Sequence, residues 1–192
     1  MASELKVNKV IPASGTTVTL GDSGDTFTIP SGVTITNNGT QTGFGGENIP
    51  AFQATVSSNQ SISDNVSTKV NFDTEVYDTS SAYDHSSNYR FTPQVSGKYY
   101  VYVRIGLNAN ADSQLNTVFG KIKKNGSIVE IAHFGFATNY ARFATSNVIA
   151  VVSLNGSSDY IEAFIQGSDQ SGSASVESGT YSVFGAFRII GA

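Results

Sequence analysis

The feature that most constrains this chain is the run KYYVYVRIGL at residues 98–107, opened by Gly97. Its alternation is strict. Tyr99, Val101, Val103 and Ile105 fall on one side, and Tyr100, Tyr102 and Arg104 on the other. This pattern specifies a long strand with one face in a core. An antiparallel strand of this kind normally turns polar residues to water on its second face. Here the second face holds two tyrosines and an arginine, residue types enriched where one protein surface buries another. Two readings follow: a solvated aromatic face, or a face covered by neighbouring subunits.

The composition agrees with a β-rich chain. Of 192 residues, 39% are hydrophobic and only 14% charged, below the usual quarter. The polar remainder is Ser, Thr, Asn and Gly, the profile of an all-β protein with many short turns. No segment carries a 3.6-residue apolar period, so no sizeable helix is expected. Nineteen glycines occur without a Gly-X-Y period and with only four prolines, which excludes collagen. Cysteine is absent, so no disulfide framework is available. The net charge of −4, with no basic run longer than Lys123-Lys124, argues against a nucleic-acid partner. No apolar run approaches the length that spans a membrane, about eighteen residues. The opening MASELKVNKV lacks the apolar core of a secretory signal, and synthesis in the cytoplasm is expected.

The texture divides the chain into residues 1–49 and residues 50–192. The first part holds three apolar-Thr-apolar triplets, at 18–20, 27–29 and 33–35, separated by GDSGD and PSG. Each is expected to be a short strand, too short for a stable sheet alone. Such a piece needs something to dock on, or its own copies to intertwine with. Residues 40–50 read as a linker. Beyond it, strands are expected at 51–56, 69–73, 98–107, 116–123, 128–136, 142–154, 160–166 and 180–190. Residues 74–88 should be a long loop, and 109–114 and 167–179 exposed polar tips. The Asn125-Gly126 pair is the strongest hairpin signal in the chain.

Candidate chemistry is sparse. His85 lies in a polar loop and His133 in a strand, and the sequence has no nucleophile elbow and no His-Glu-x-x-His. A non-enzymatic protein is expected. Asp73, Asp78 and Asp84 offer hard oxygen ligands of the kind calcium takes. Their spacing is not that of a calcium loop, and aspartates before Ser and Thr commonly cap turns. The fold is therefore expected not to depend on calcium, with these three as the candidate ligands.

An ordered set of landmarks carries a family resemblance. It runs through Ala51-Phe52, then Val66, Lys69, Val70, Phe72, Asp73, Tyr83, Asp84, Phe91, Pro93, Gly97, Tyr99 and Tyr100. It continues with the KKNG turn at 123–126, SNVIAVVSLNGSSDYIEAFI at 146–165 and VFGAFRII at 183–190. Over roughly residues 50–192 this resembles the globular head of complement component 1q and its tumour-necrosis-factor-like relatives. The resemblance implies a ten-stranded jelly-roll sandwich that assembles as a homotrimer. It further implies a subunit contact set of Phe52, Tyr100, Tyr102, Arg104, Ile149, Val151 and Phe187 around the threefold axis. A one-residue error in register would flip such an assignment. Some heads of this family bind calcium near that axis. The complement proteins carry collagen stalks, which this sequence lacks.

The run LKVNKVIPASGTTVTL at residues 5–20 resembles the openings of structural proteins in tailed bacteriophages, especially those of marine cyanobacteria. Together the two resemblances imply a virion structural protein, located in the particle. Residues 1–49 would join other virion proteins. A trimeric knob would serve as a fibre tip touching a host-surface protein or glycan, or as a decoration protein. The alternative is a secreted or surface recognition module that binds glycans or proteins.

Overall fold

A computed structural model describes residues 9–39, 48–109, 111–170 and 172–190. Backbone proximity divides the chain into two units, residues 1–44 and 45–192. The described residues contain no helix. In the second unit the strands are β1 (Ala51–Val56), β2 (Gln60–Ser63), β3 (Thr68–Lys69), β4 (Thr74–Asp78), β5 (Tyr83–Asp84), β6 (Arg90–Phe91) and β7 (Gly97–Ala109). They continue with β8 (Leu115–Lys124), β9 (Ser127–Gly135), β10 (Phe143–Leu154), β11 (Ile161–Asp169), β12 (Ser173–Val176) and β13 (Gly179–Arg188).

These strands form two sheets, and the alternating run sits in the middle of one. Strand β7 pairs along its whole length with β10 on one side, from Gly97↔Leu154 to Asn108↔Phe143. On its other side β13 pairs with residues 99–104 and β12 with residues 107–109. Strands β1 and β4 extend this sheet beyond β13, and β2 extends it beyond β12. The second sheet runs β5-β6-β11-β8-β9, with β3 also on β11. These strands pair antiparallel throughout.

The core lies between the sheets, as the alternation requires. Tyr99, Val101, Val103, Ile105 and Leu107 line it from β7, facing Val118, Ile122, Ile161 and Ile165 of the second sheet. One end is filled by aromatic rings. Phe52 stacks on Tyr83 at 4.4 Å and on Phe91 at 4.6 Å, and meets the edge of Phe184 at 4.9 Å. The β8–β9 hairpin closes on Asn125 and Gly126, whose φ values of 50° and 81° are those a type I′ turn demands. After β10, Gly156 has φ of +73°, and a Cβ there would lie 2.2 Å from the Ser96 backbone nitrogen. No other residue fits that turn without moving the chain that opens β7.

Three expectations change. The strand expected at 69–73 is instead β3, ending at Lys69, with β4 beginning at Thr74. The expected loop at 74–88 therefore contains β4, paired with the earlier strand β1, and β5, paired with the next strand β6. The expected tip at 167–179 contains the end of β11 and all of β12. There Ala174 and Val176 are buried between flanking serines, a weak apolar signal that long-range pairing overrides.

In the first unit the three triplets have no strand assignment. They are linked by turns that the Asp25 amide closes on the Asp22 carbonyl at 3.0 Å and the Val33 amide on Pro30 at 3.2 Å. Each turn carries glycine with positive φ, Gly24 and Gly32, at its third position, as a type II turn requires. Val18, Leu20, Phe27, Ile29, Val33 and Ile35 are all exposed, from 36% to 69%. Most of the expected linker, residues 40–47, lies outside the described residues, as do residues 5–8 of the phage-like opening.

Candidate assembly face

The outward side of the β7 sheet brings six of the seven expected contact residues together. Tyr100, Tyr102 and Arg104 come from β7, and Val151 and Ile149 of β10 lie opposite Tyr100 and Tyr102. Phe187 of β13 lies opposite Tyr100 on the other side. The rings form a ladder, with Phe187 to Tyr100 at 5.2 Å and Tyr100 to Tyr102 at 6.4 Å. The Tyr102 hydroxyl donates to Gln53 Oε1 of β1 at 3.0 Å. Burial pushes the Tyr102 phenol well above its usual range, and the neighbouring Tyr77 adds to this. The ring lies across Gly185, where a Cβ would stand 2.3 Å from the phenol. Beside this ladder Ile149 is 54% and Val151 60% exposed.

Phe52 is the correction. Its neighbours on β1, Ala51 and Gln53, share the outward parity with Phe187 and Gly185, which turns Phe52 to the opposite side. There it is fully buried in the aromatic core. The alternation fixes only relative parity, and the first strand was assigned the wrong phase. Phe52→Ala should therefore cost about 3–5 kcal/mol of folding stability, read as a fall in the denaturation midpoint. An unchanged midpoint with lost assembly would return Phe52 to the contact set.

Gln53, Tyr77 and Gly185 belong to this face but were not singled out from sequence. Tyr77 and Gln53 pair across β4 and β1, a contact that requires knowing which strands are neighbours. A second apolar surface lies along β9, the edge of the other sheet. Ile128, Val129, Ile131 and Phe134 are exposed there. On the same hairpin His133 stacks on Phe119 at 4.2 Å.

The acidic candidates are held apart as turn caps. Asp73 accepts from the Ser57 amide and hydroxyl at 2.7 and 2.6 Å. Burial alone raises its carboxyl, but these bonds outweigh it and hold the group below its ordinary value. Asp78 accepts from the amides of Ser80 and Tyr83. Asp84 accepts from Asn88 Nδ2 at 2.6 Å and from the amides of Ser86, Ser87 and Asn88. Among the described residues no group of three such side chains is placed to share a metal ion. His85 Nδ1 lies 3.3 Å from the Asp73 carbonyl oxygen, a loop contact.

The Asn88 amide and its neighbours depress the Asp84 carboxyl well below its usual range. A depressed folded-state value contributes stability above the unfolded value, about 3.9, and loses it as pH falls through the folded value. Asp84→Asn should therefore melt lower than the parent at pH 7, with the difference narrowing below about pH 4. A constant difference down to acid pH would remove the charge from this account.

Residues 51–189 match the family described as the C1q domain. No curated protein matches the chain. C1q domains are typically non-enzymatic binding modules and commonly form trimers.

Proposed function

This chain belongs to the C1q domain family, and on that footing we propose that it is a non-enzymatic virion structural protein of a bacteriophage. Three copies close a knob, and residues 1–49 join it to other virion proteins. The knob projects as a fibre tip or decoration and presents its turns to a host-surface protein or glycan.

The observation that carries the assembly is an apolar face on which Ile149 and Val151 are exposed beside the half-buried rings of Tyr100, Tyr102 and Phe187. A second exposed apolar strip, on β9, supports a head-to-tail contact, in which different surfaces meet and a rotation closes the ring. Attachment is supported by the first unit. Its exposed triplets bury too little apolar surface to offset their own ordering entropy, so a partner must supply the rest. Multi-angle scattering should give a mass near three chains at micromolar concentration. Mass spectrometry of purified phage particles should recover the chain in a copy number divisible by three. A monomer sinks the knob. Recovery from culture medium but never from particles replaces the virion reading with that of a free recognition module.

A further inference from the structure

A built cleft lies at the end of the β7 sheet, between the start of β10 and the turn from β12 to β13. It encloses about 330 Å³ and is lined by Asn108, Arg142, Phe143, Glu177 and Tyr181. A second cleft of about 180 Å³ shares Asn108, Arg142 and Glu177 with it and adds Asn59 and Ser175. The aromatic wall is an edge-on pair, with Phe143 and Tyr181 centroids 5.4 Å apart at 72°. The Phe143 ring stands over Gly106, where a Cβ would come within 3.0 Å of that ring and 3.1 Å of the Tyr181 Cβ. Bare backbone at that position makes the shelf possible.

The polar wall is fixed from behind. The Glu177 amide donates to the Gly106 carbonyl at 2.8 Å, and Asn108 Nδ2 donates to Glu177 Oε1 at 2.7 Å. Asn59 Oδ1 accepts from the Ser178 amide at 3.0 Å, which pins the turn on the far side. Arg142 is held more loosely, by Asp112 at 3.1 Å in a pair 59% and 81% exposed. An ion pair that open contributes little, so the guanidinium can turn to a ligand at small cost. A pocket of this size with an apolar shelf and convergent donors and acceptors is the usual form of a small-molecule site. Its lining carries one carboxylate, Glu177, against one guanidinium, Arg142, and so no net charge that would select an ion.

We propose that this paired cleft binds an uncharged hexopyranose, the terminal sugar of a neutral surface glycan. The CH face of the sugar packs on Tyr181 and Phe143, and its hydroxyls donate to Glu177 and accept from Arg142. The proposal rests on the reading of the knob as a recognition head and gives that head its ligand class.

Methyl glycosides of glucose, galactose, mannose and N-acetylglucosamine, titrated into the intact 15N-labelled chain, test it. At least one should produce saturable shifts at the Asn108 side-chain amide and the Tyr181 backbone amide below about 50 mM, the millimolar range of a single sugar. Glu177→Ala and Arg142→Ala, both with unchanged melting curves, should each weaken binding by about tenfold or more. Silence at those positions overturns the site, including silence because a second copy covers the rings. Equal or tighter binding of N-acetylneuraminic acid overturns it as well. Host-cell binding by the same chain separates this from the parent reading. Adhesion that survives Glu177→Ala and Tyr181→Ala sinks the cleft and leaves the recognition head. Absence of adhesion by the unaltered chain sinks the head, while the sugar titration still decides the cleft.

Discussion

Val151→Asp is expected to turn the proposed trimer into monomers without unfolding the subunit. The side chain is 60% exposed in the single chain, so a carboxylate there remains hydrated and the core is untouched. Its pairing partner across β7 is Tyr100, in the middle of the aromatic ladder. On assembly each copy would carry one carboxylate into an apolar contact, where desolvation costs several kcal/mol per ion unless a cation answers it. A loss of about 4 kcal/mol weakens association roughly a thousandfold. Scattering at micromolar concentration should therefore give the mass of one chain, with a near-parental far-UV spectrum. Ile149→Asp should be milder. Ile149 lies opposite Tyr102 and one pair step from Arg104, so a guanidinium is in reach. Tyr102→Asp should also dissociate the knob, but it gives up the Gln53 bond and the filling over Gly185 as well. The Val151 variant is the cleaner test, and a trimer that survives it means that another face makes the contact.

The strands legible in the sequence are those whose information is local. Strand β7 was specified by alternation alone, and β8 and β9 by the Asn125-Gly126 turn between them. β10 and β13 followed from apolar periodicity and appear within two residues of the expected bounds. What stayed hidden depends on partners far away in the chain. β12 is Ser-Ala-Ser-Val, and it is a strand because β2 and β7 flank it on both sides. β4 is mostly exposed and owes its conformation to β1. The face assignment shows the same division. Parity along β7 was readable, so Tyr100, Tyr102 and Arg104 were grouped correctly. The phase of β1 relative to β13 was not readable, and Phe52 went to the wrong side. The cleft residues Asn59, Asn108, Arg142, Glu177 and Tyr181 come from four separate stretches. Only the fold brings them together.

Deletion of residues 2–45 should have the other large effect, on attachment and not on the knob. Every residue of the buried cluster lies between Phe52 and Ala186, so the deleted chain keeps its full core. Its melting midpoint should stay within a few degrees of the parent, since a loss of 1 kcal/mol moves a domain of this size by about 2–4 °C. It should remain trimeric, because the assembly face is built from β7, β10 and β13. What it loses is the three exposed triplets and the turns that separate them. An extended segment that buries so little cannot hold itself in place, and the partner that orders it is, on the proposed reading, a virion protein. The shortened knob should then fold, trimerise and fail to co-purify with particles. Glu177→Ala in the full chain should show the converse, normal incorporation with impaired host-surface binding. If the shortened knob still rides on particles, the anchor lies in the jelly roll, and the β9 strip becomes the surface to mutate next.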